Sequence, residues 1–506
     1  MSPKLVLVGF MGAGKSTAAS RAAEYLGEQS ADTDEILRRR FGTSIDSFFA
    51  ERGEAAFREE EEAVVVEALE ASGPAIVALG GGALGSERVR AALADHRVVY
   101  LDVDPEHAWQ RIRRGDRPLA RDRAKFAQLH AEREPVYEAS ADVIVHAERL
   151  LSAEEWLSAA RSLDDAPPRT RLLLASSRSG SYPVYVGNGL VAAGFYPFDE
   201  RRFLVSDGIV ARLYADHFEP LAGRVAIVPG EQSKTIAHAE IVWTELARQG
   251  ATRDDHVVAL GGGVVGDLAG FCAATYQRGV GVVQVPTTLV AQVDSAYGGK
   301  TGIDLPEAKN YVGAYHQPEA VLVDPATLET LPPAERSAGY AEVLKTALIA
   351  GGRLWERVRG GAVDDELTVL ACARTKLRVV AEDERDGGRR QILNLGHTVA
   401  HAIESVTGYA RYRHGEAVAL GLLAALRLSE QPELREEVAE LLAANGLPTR
   451  LEDAPVDAVI SATERDKKRR GAAPVPFVLV AAAGDVRYGQ PVPEPALRAA
   501  VEELTR

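Results

Sequence analysis

Short apolar runs alternate with charged, helix-period segments along the first third of the chain. "LVLVGF", "AIVALGGG", "RVVYLDV" and "DVIVHA" have the length of buried strands, and stretches such as "FREEEEAVVVEALEAS" between them repeat apolar residues at helical spacing. That alternation predicts βαβ units around a parallel sheet, a first α/β domain over residues 1–163. "RSLDDAPPRTR" then breaks the pattern with two adjacent prolines, Pro167 and Pro168, and predicts a linker at 164–171. Strand-like runs resume with "RLLLASS", "YPVYVG", "RRFLVSDG", "RVAIVPG", "HVVALGGG", "VVQVPTT" and "AVLVDP", a second α/β domain over residues 172–335. From 336 to 506 the texture is helical ("AGYAEVLKTALIAGGRLWERV", "EAVALGLLAALRLSE"), with only "VPFVLV" strand-like, so a mostly helical third domain is expected.

Composition fits this picture and narrows the partners. The chain of 506 residues is long enough for about three domains, and 46% hydrophobic with 26% charged residues is the balance of an ordinary globular protein. A formal net charge of −15 repels polyanions, which argues against nucleic acid or an anionic membrane as partner. Cys272 and Cys372 are too few for a disulfide framework, so a reducing, cytoplasmic location is expected. The N-terminal "KLVLVGF" is too short for a signal peptide and runs straight into "MGAGKST". No apolar run approaches the roughly 20 residues that span a bilayer.

"GFMGAGKST", Gly9 to Thr17, follows a predicted strand and opens a predicted helix. It fits the P-loop spacing: Gly12, Ala13, Gly14, Lys15, Ser16 and Thr17 would wrap phosphate oxygens in backbone N–H groups. Lys15 adds positive charge, and the Ser16 hydroxyl is placed to join Mg²⁺. ATP with Mg²⁺ is the expected cofactor. The segments around it, "ADTDEILRRRFGTSIDSFFAERGEAAFREEE", "LGGGALG", "RPLA" and "REPVY", resemble the shikimate kinase family over nearly all of residues 1–150. The resemblance implies that Asp34 orients or deprotonates the hydroxyl that attacks ATP and that Asp32 supports Mg²⁺. It further implies that Arg58 and Arg133 clamp the shikimate carboxylate, Gly81 presents backbone to the ring, and Arg117 reaches ATP from a lid. Taken alone, Arg58 reads as a solvated i,i+4 partner of Glu54 or Glu62; the company of Asp34 and the glycines reverses that reading.

The hexapeptide "VALGGG" occurs at Val77–Gly82 and again at Val258–Gly263, each time completing G-x-G-x-x-G. The pattern alone is weak, and the second copy lacks a clear acidic residue about 20 positions on to hold a ribose, so it reads as a phosphate or dinucleotide loop. Farther along, "NLGHTVAHAIE" puts His397 and His401 four apart, "RHGEAVAL" supplies His414, and "GYAEVLKTA" supplies Glu342 and Lys345. Imidazoles with a carboxylate suit a catalytic Zn²⁺. A zincin-like pairing of His397 with His401 fails because Thr398 stands where the glutamate should follow, and any one of these histidines alone reads as a capped or core residue. Lysines and arginines gathered in Gly-rich turns of so acidic a chain suggest recognition of a phosphate and a carboxylate.

Together these segments resemble the 3-dehydroquinate synthase family over essentially all of residues 172–506. The resemblance implies a dehydroquinate synthase-like NAD-binding α/β domain followed by a metal- and substrate-binding helical one. Glu342, His397 and His414 become ligands of Zn²⁺ or Co²⁺, and His401 an active-site hydrogen-bonding group. NAD⁺ falls to Asp207, Glu231, Lys234, Gly262, Gly263, Val264, Asp267, Thr287, Thr288, Lys300, Lys309, Thr327 and Thr330. Substrate and catalytic groups are Arg278, Asp294, Lys300, Lys309, Asn310, Lys345, Lys376, Arg390, Asn394 and one of Lys467 or Lys468. The implied substrate is 3-deoxy-D-arabino-heptulosonate 7-phosphate, cyclised with transient oxidation, phosphate elimination, reduction, ring opening and aldol closure; a homodimer through this half is implied as well. Asp386, Arg389 and Tyr297 depart from the family pattern and bear on substrate fit. Another sugar-phosphate cyclase or a polyol dehydrogenase is the alternative for this half.

Overall fold

The apolar runs become mostly parallel sheet strands in the computed structural model, which describes residues 3–112, 122–146, 152–306, 308–463 and 476–506. The chain divides into two compact units, Met1–Ser176 with Pro183–Tyr185, and Ser177–Tyr182 with Val186–Arg506.

In the first unit β1 (Leu5–Val8), β2 (Ser30–Asp32), β3 (Ile76–Ala78), β4 (Arg97–Asp102), β5 (Val143–His146) and β6 (Arg171–Ser177) run in the order β2-β3-β1-β4-β5-β6. Each neighbouring pair is parallel, with Leu7 opposite Ala78 and Val8 opposite Tyr100. The order reverses at β1, so its carboxyl end opens into the crevice where open α/β sheets bind ligands. The expected linker at 164–171 runs from a 3-10 turn to β6. Leu163–Asp165 is a 3-10 turn, and β6 pairs with β5 through Val143–Leu172 and Val145–Leu174. "LLLA" is buried, and an apolar run of that length finds its burial by completing a sheet.

The second unit contains both the α/β and the helical segments expected as separate domains. After β7 (Gly180–Val186), β8 (Arg202–Asp207), β9 (Gly223–Ile227), β10 (His256–Gly261), β11 (Gly281–Pro286) and β14 (Ala320–Val323) align as β14-β11-β10-β8-β9. Numbered within this unit the order is 2-1-3-4-5, a doubly wound sheet whose switch point lies between β8 and β10. β12 (Lys300–Leu305) and β13 (Ala308–Tyr315) form an antiparallel hairpin, and β15 (Pro476–Ala482) pairs with β16 (Asp485–Pro491). The core under the sheet gathers Phe203, Val205, Val242, Leu246, Leu268 and Phe271. The helices Pro333–Ala350, Glu366–Glu382, His397–Val406 and His414–Leu428 follow. Among the described residues no helix is long and apolar enough to cross a membrane, and both cysteines are free and buried.

Candidate active sites

In the first unit, β1 leads through the glycine-rich loop into the helix Lys15–Leu26, whose N-cap is Gly14 in the left-handed conformation, with no side-chain cap. The first-turn N–H groups are therefore left for an anion. Lys15 Nζ donates to the carbonyls of Gly9 (2.9 Å) and Phe10 (3.1 Å), so it folds back over its own loop. The Ser16 hydroxyl donates to Asp32, which also caps the helix Thr33–Phe41 by accepting from Glu35 N. A hydroxyl and a carboxylate side by side at a phosphate loop are a suitable oxygen set for Mg²⁺.

β3 ends in the first "VALGGG". Gly80 N donates to Thr33 Oγ1 at 2.9 Å, and a Cβ on Gly80 would stand 2.6 Å from Asp34 Oδ1 and 2.8 Å from Glu61 Oε1, so a side chain there would have to displace those carboxylates. Arg58 pairs with Glu61 (2.5 Å) and Glu54 (3.2 Å) and lies over the Phe57 ring. The i,i+4 pairing of Arg58 with Glu54 is thus present, beside an i,i+3 pairing with the buried Glu61. Arg133 Nη1 donates to Gly81 O at 2.9 Å, and the Tyr137 hydroxyl donates to the same carbonyl. Arg58, Glu61, Gly81, Gly82, Arg133 and Tyr137 line one cavity of about 660 Å³. Burial pushes the Glu61 carboxyl up against the pull of Arg58, and burial pushes Tyr137 up to about 12. Glu61 and Tyr137 were not singled out in the sequence; only their spacing from Arg58 and Arg133 hinted at them. Arg117 lies outside the described residues.

In the second unit the switch point carries Asp207 and the second "VALGGG". Asp207 caps the helix Gly208–Tyr214 by accepting from the N–H groups of Ile209 and Val210. Gly262 precedes the helix Gly263–Thr275 with no side-chain cap, and a Cβ there would meet Thr288 Cγ2 at 2.8 Å. The buried Thr287 hydroxyl has no hydrogen-bond partner among the described residues. A bare helix N-terminus, a bare backbone turn and an unpartnered hydroxyl suit the pyrophosphate of a dinucleotide. Val264 lies in that first turn. Asp267 pairs with Lys234 at 2.5 Å, and Glu231 with Lys309 at 3.5 Å. The Thr327 hydroxyl is used inside the fold, donating to Asp324 O and accepting from Gln292, while Thr330 Oγ1 meets Tyr214 OH at 2.7 Å.

The helical segments bring Glu342, His397 and His414 together with one ligand atom of each within 4.8 Å of the others. The His397 and His414 Nε2 atoms face Glu342 Oε1 at 3.5 and 3.3 Å. Glu342 is buried, and neither of its oxygens receives a well-directed hydrogen bond, although Lys345 Nζ lies 2.5 Å from Oε2. Burial opposes a charge on His414, yet the adjacent Glu342 and Glu404 outweigh it and raise the imidazole to about 10. Two imidazole nitrogens converging on a buried carboxylate fit a divalent cation. His401, exposed, stacks against His414 with centroids 6.4 Å apart and is not among the three.

Beside this cluster Asp294 joins two lysines: Lys345 at 2.6 Å, and Lys376, which donates to the carboxylate and to Asp294 O. Burial would push the Asp294 carboxyl up, but the two ammonium groups hold it well below the usual range. Burial would likewise lower Lys345, and Asp294 and Glu342 raise it instead; for Lys376 burial prevails and lowers it. Lys300 pairs with Asp386 at 2.6 Å, and Asn310, at positive φ, donates its N–H to Asp304. Arg390 is buried and donates to the carbonyls of Gly298 (3.0 Å) and Glu384, so its guanidinium fixes the turn before Lys300. Asn394 donates to Gln391 O. Arg389 pairs with Glu382 at 2.8 Å. Arg278 is exposed beyond the far end of the helix Gly263–Thr275, whose 13 residues set it about 20 Å from the glycine turn, so one chain does not gather it with the others. Lys467 and Lys468 lie outside the described residues.

Comparison with known proteins agrees with this division. The shikimate kinase family model matches residues 11–161. The models for the N-terminal and C-terminal parts of 3-dehydroquinate synthase match residues 224–338 and 339–469. The 3-dehydroquinate synthase of Halorhodospira halophila is 45% identical over 334 residues, 62% of this chain and 94% of that protein. That of Streptococcus pneumoniae (strain G54) is 43% identical, covering 53% of this chain and 81% of that protein. Among solved structures, 2-epi-5-epi-valiolone synthase from Streptomyces hygroscopicus subsp. jinggangensis 5008, with NAD⁺ and Zn²⁺ bound, is 25% identical over 65% of this chain and 98% of that one, at a TM-score of 0.60. A 2-deoxy-scyllo-inosose synthase complexed with carbaglucose-6-phosphate, NAD⁺ and Co²⁺ shares the fold at 24% identity and a TM-score of 0.59, over 66% of this chain and 99% of that one. The chain belongs to the 3-dehydroquinate synthase family and carries a shikimate kinase domain ahead of it, a bifunctional enzyme of the shikimate pathway.

Proposed function

We propose that each activity runs on the residues gathered in its own unit. In the kinase, Arg58 and Arg133 hold the shikimate carboxylate with planar, charge-assisted hydrogen bonds at the cavity wall formed by Gly81. Asp34, packed against Gly80, orients the ring hydroxyl toward the γ-phosphate of ATP. The bare N-terminus of Lys15–Leu26 cradles the phosphates, and Lys15 leaves its carbonyl partners to neutralise charge that develops during transfer. Ser16 and Asp32 would hold Mg²⁺, which screens the phosphate oxygens.

In the synthase, Glu342, His397 and His414 would hold Zn²⁺ or Co²⁺ and the Gly262–Gly263 turn NAD⁺, which together supply polarisation of a ring oxygen and a reversible hydride acceptor. The chain itself binds and orients 3-deoxy-D-arabino-heptulosonate 7-phosphate through Lys300, Lys309, Asn310 and Asn394. Asp294 fixes the two buried ammonium groups; Lys376, lowered by burial, gives up a proton at Nζ more readily than Lys345 does. His401, exposed beside the proposed metal ligands, would bond a substrate oxygen. The reading extends to a cytoplasmic homodimer formed through the synthase half. The observation that carries the synthase reading is the convergence of His397 and His414 Nε2 on Glu342, one turn from the Lys345–Asp294–Lys376 group.

The test supplies the purified chain with each half's substrates separately. Shikimate with ATP is expected to yield ADP, and the heptulosonate phosphate with NAD⁺ to release inorganic phosphate without NADH build-up. Steady accumulation of NADH would mark the second half as a polyol dehydrogenase and overturn the reading.

A further inference from the structure

The helix His397–Val406 carries His397, His401 and Glu404 at i, i+4 and i+7, a single face. The first two belong to the site already described; Glu404 does not. It is 2% exposed, and its Oε1 lies 3.5 Å from His414 Nδ1 and 3.3 Å from Lys309 Nζ on β13.

The two histidines that face Glu342 are thus held in the same way at their other nitrogen. His397 Nδ1 lies 3.1 Å from Leu395 O, and His414 Nδ1 faces the Glu404 carboxylate. An acceptor at Nδ1 keeps the proton there and turns the Nε2 lone pair inward, and a carboxylate also raises the donor strength of the ring. His414 is the more exposed ligand, at 36% of its side chain against 12% for His397. Its orientation depends more on that contact, because less packing holds the ring. We propose that Glu404 is a positioning residue for the metal centre: it fixes the tautomer and direction of His414 and ties that ligand to Lys309 on the β12–β13 hairpin. The inference rests on the metal-site reading above.

Co²⁺ affinity of the full chain, measured by chelator competition without substrate, separates the two. E404Q, which keeps the shape and removes the charge, is expected to weaken Co²⁺ binding by about 10- to 100-fold and to shift the visible bands of the bound ion. In an H414A background the same change is expected to cost less than roughly threefold, because its route of action is gone. The thermal midpoint in excess chelator should match wild type. Wild-type affinity in E404Q, an equal loss in both backgrounds, or a lower midpoint without metal would each overturn the proposal. If H414A itself binds Co²⁺ as wild type does, the metal-site reading falls instead, and the role of Glu404 with it.

Discussion

At single residues, both sites depend on how closely backbone and charge approach. The role proposed for Asp34 needs an anion beside the attacking hydroxyl, so Asp34→Asn is expected to abolish shikimate phosphorylation while ATP still binds. Near-normal turnover in a coupled ADP assay would refute that role. Gly80 sets the distance: the space a Cβ would need is taken by Asp34 and Glu61. Gly80→Ala must displace the Asp34 carboxylate or Gly80 itself, and misplacement on that scale is costly. An increase of at least roughly tenfold in KM for shikimate, with KM for ATP unchanged, is the expected result. The two "VALGGG" copies share this need for bare backbone and differ in what approaches: Asp34 and Glu61 in the first, Thr288 in the second. Sequence could display the glycines, but a buried acid such as Glu61 looks like any other glutamate in "FREEEE" until its neighbours are placed.

Among the elements, the most unusual is the π-helical turn Ala291–Ser295, which presents Asp294 to Lys345 and Lys376. Such turns recur at functional sites because the extra residue re-aims a side chain. Here Tyr297 is buried and donates its hydroxyl to Gln292 O at 2.5 Å, bracing the turn from within. Tyr297→Phe leaves that buried carbonyl one bond short, a cost of about 1–3 kcal/mol. Because the loss falls on the segment that aims Asp294, synthase turnover should drop by roughly tenfold or more while the kinase rate stays unchanged; equal rates for variant and parent would remove Tyr297 from the machinery. The strand and helix runs were legible because their apolar periods are local. The π turn was not, since nothing in "AQVDSAY" departs from helical spacing; "RLLLASS" was legible as a strand, but the two prolines ahead of it assigned it to the second domain, whereas β6 pairs with β5 of the first.

For the molecule as a whole, every described residue assigned to the kinase lies in the first compact unit and every described residue assigned to the synthase in the second. The proposed metal ligands needed three helices to assemble, which is why the sequence could offer two pairings of its histidines while the fold brings His397 and His414 to Glu342 and leaves His401 out of that group. The two proposed metal sites also differ in chemistry. Ser16 and Asp32 offer hard oxygens to Mg²⁺, whereas two imidazoles and a carboxylate hold a softer ion far more tightly. A nitrogen chelator such as 1,10-phenanthroline, applied in excess Mg²⁺, discriminates between them. It is expected to abolish phosphate release from the heptulosonate phosphate and to leave ADP formation from shikimate at its starting rate. Added Zn²⁺ or Co²⁺ should restore the first activity. Synthase indifferent to the chelator would count against Glu342, His397 and His414 as ligands, and a parallel loss of kinase activity would show that the second unit's metal also governs the first.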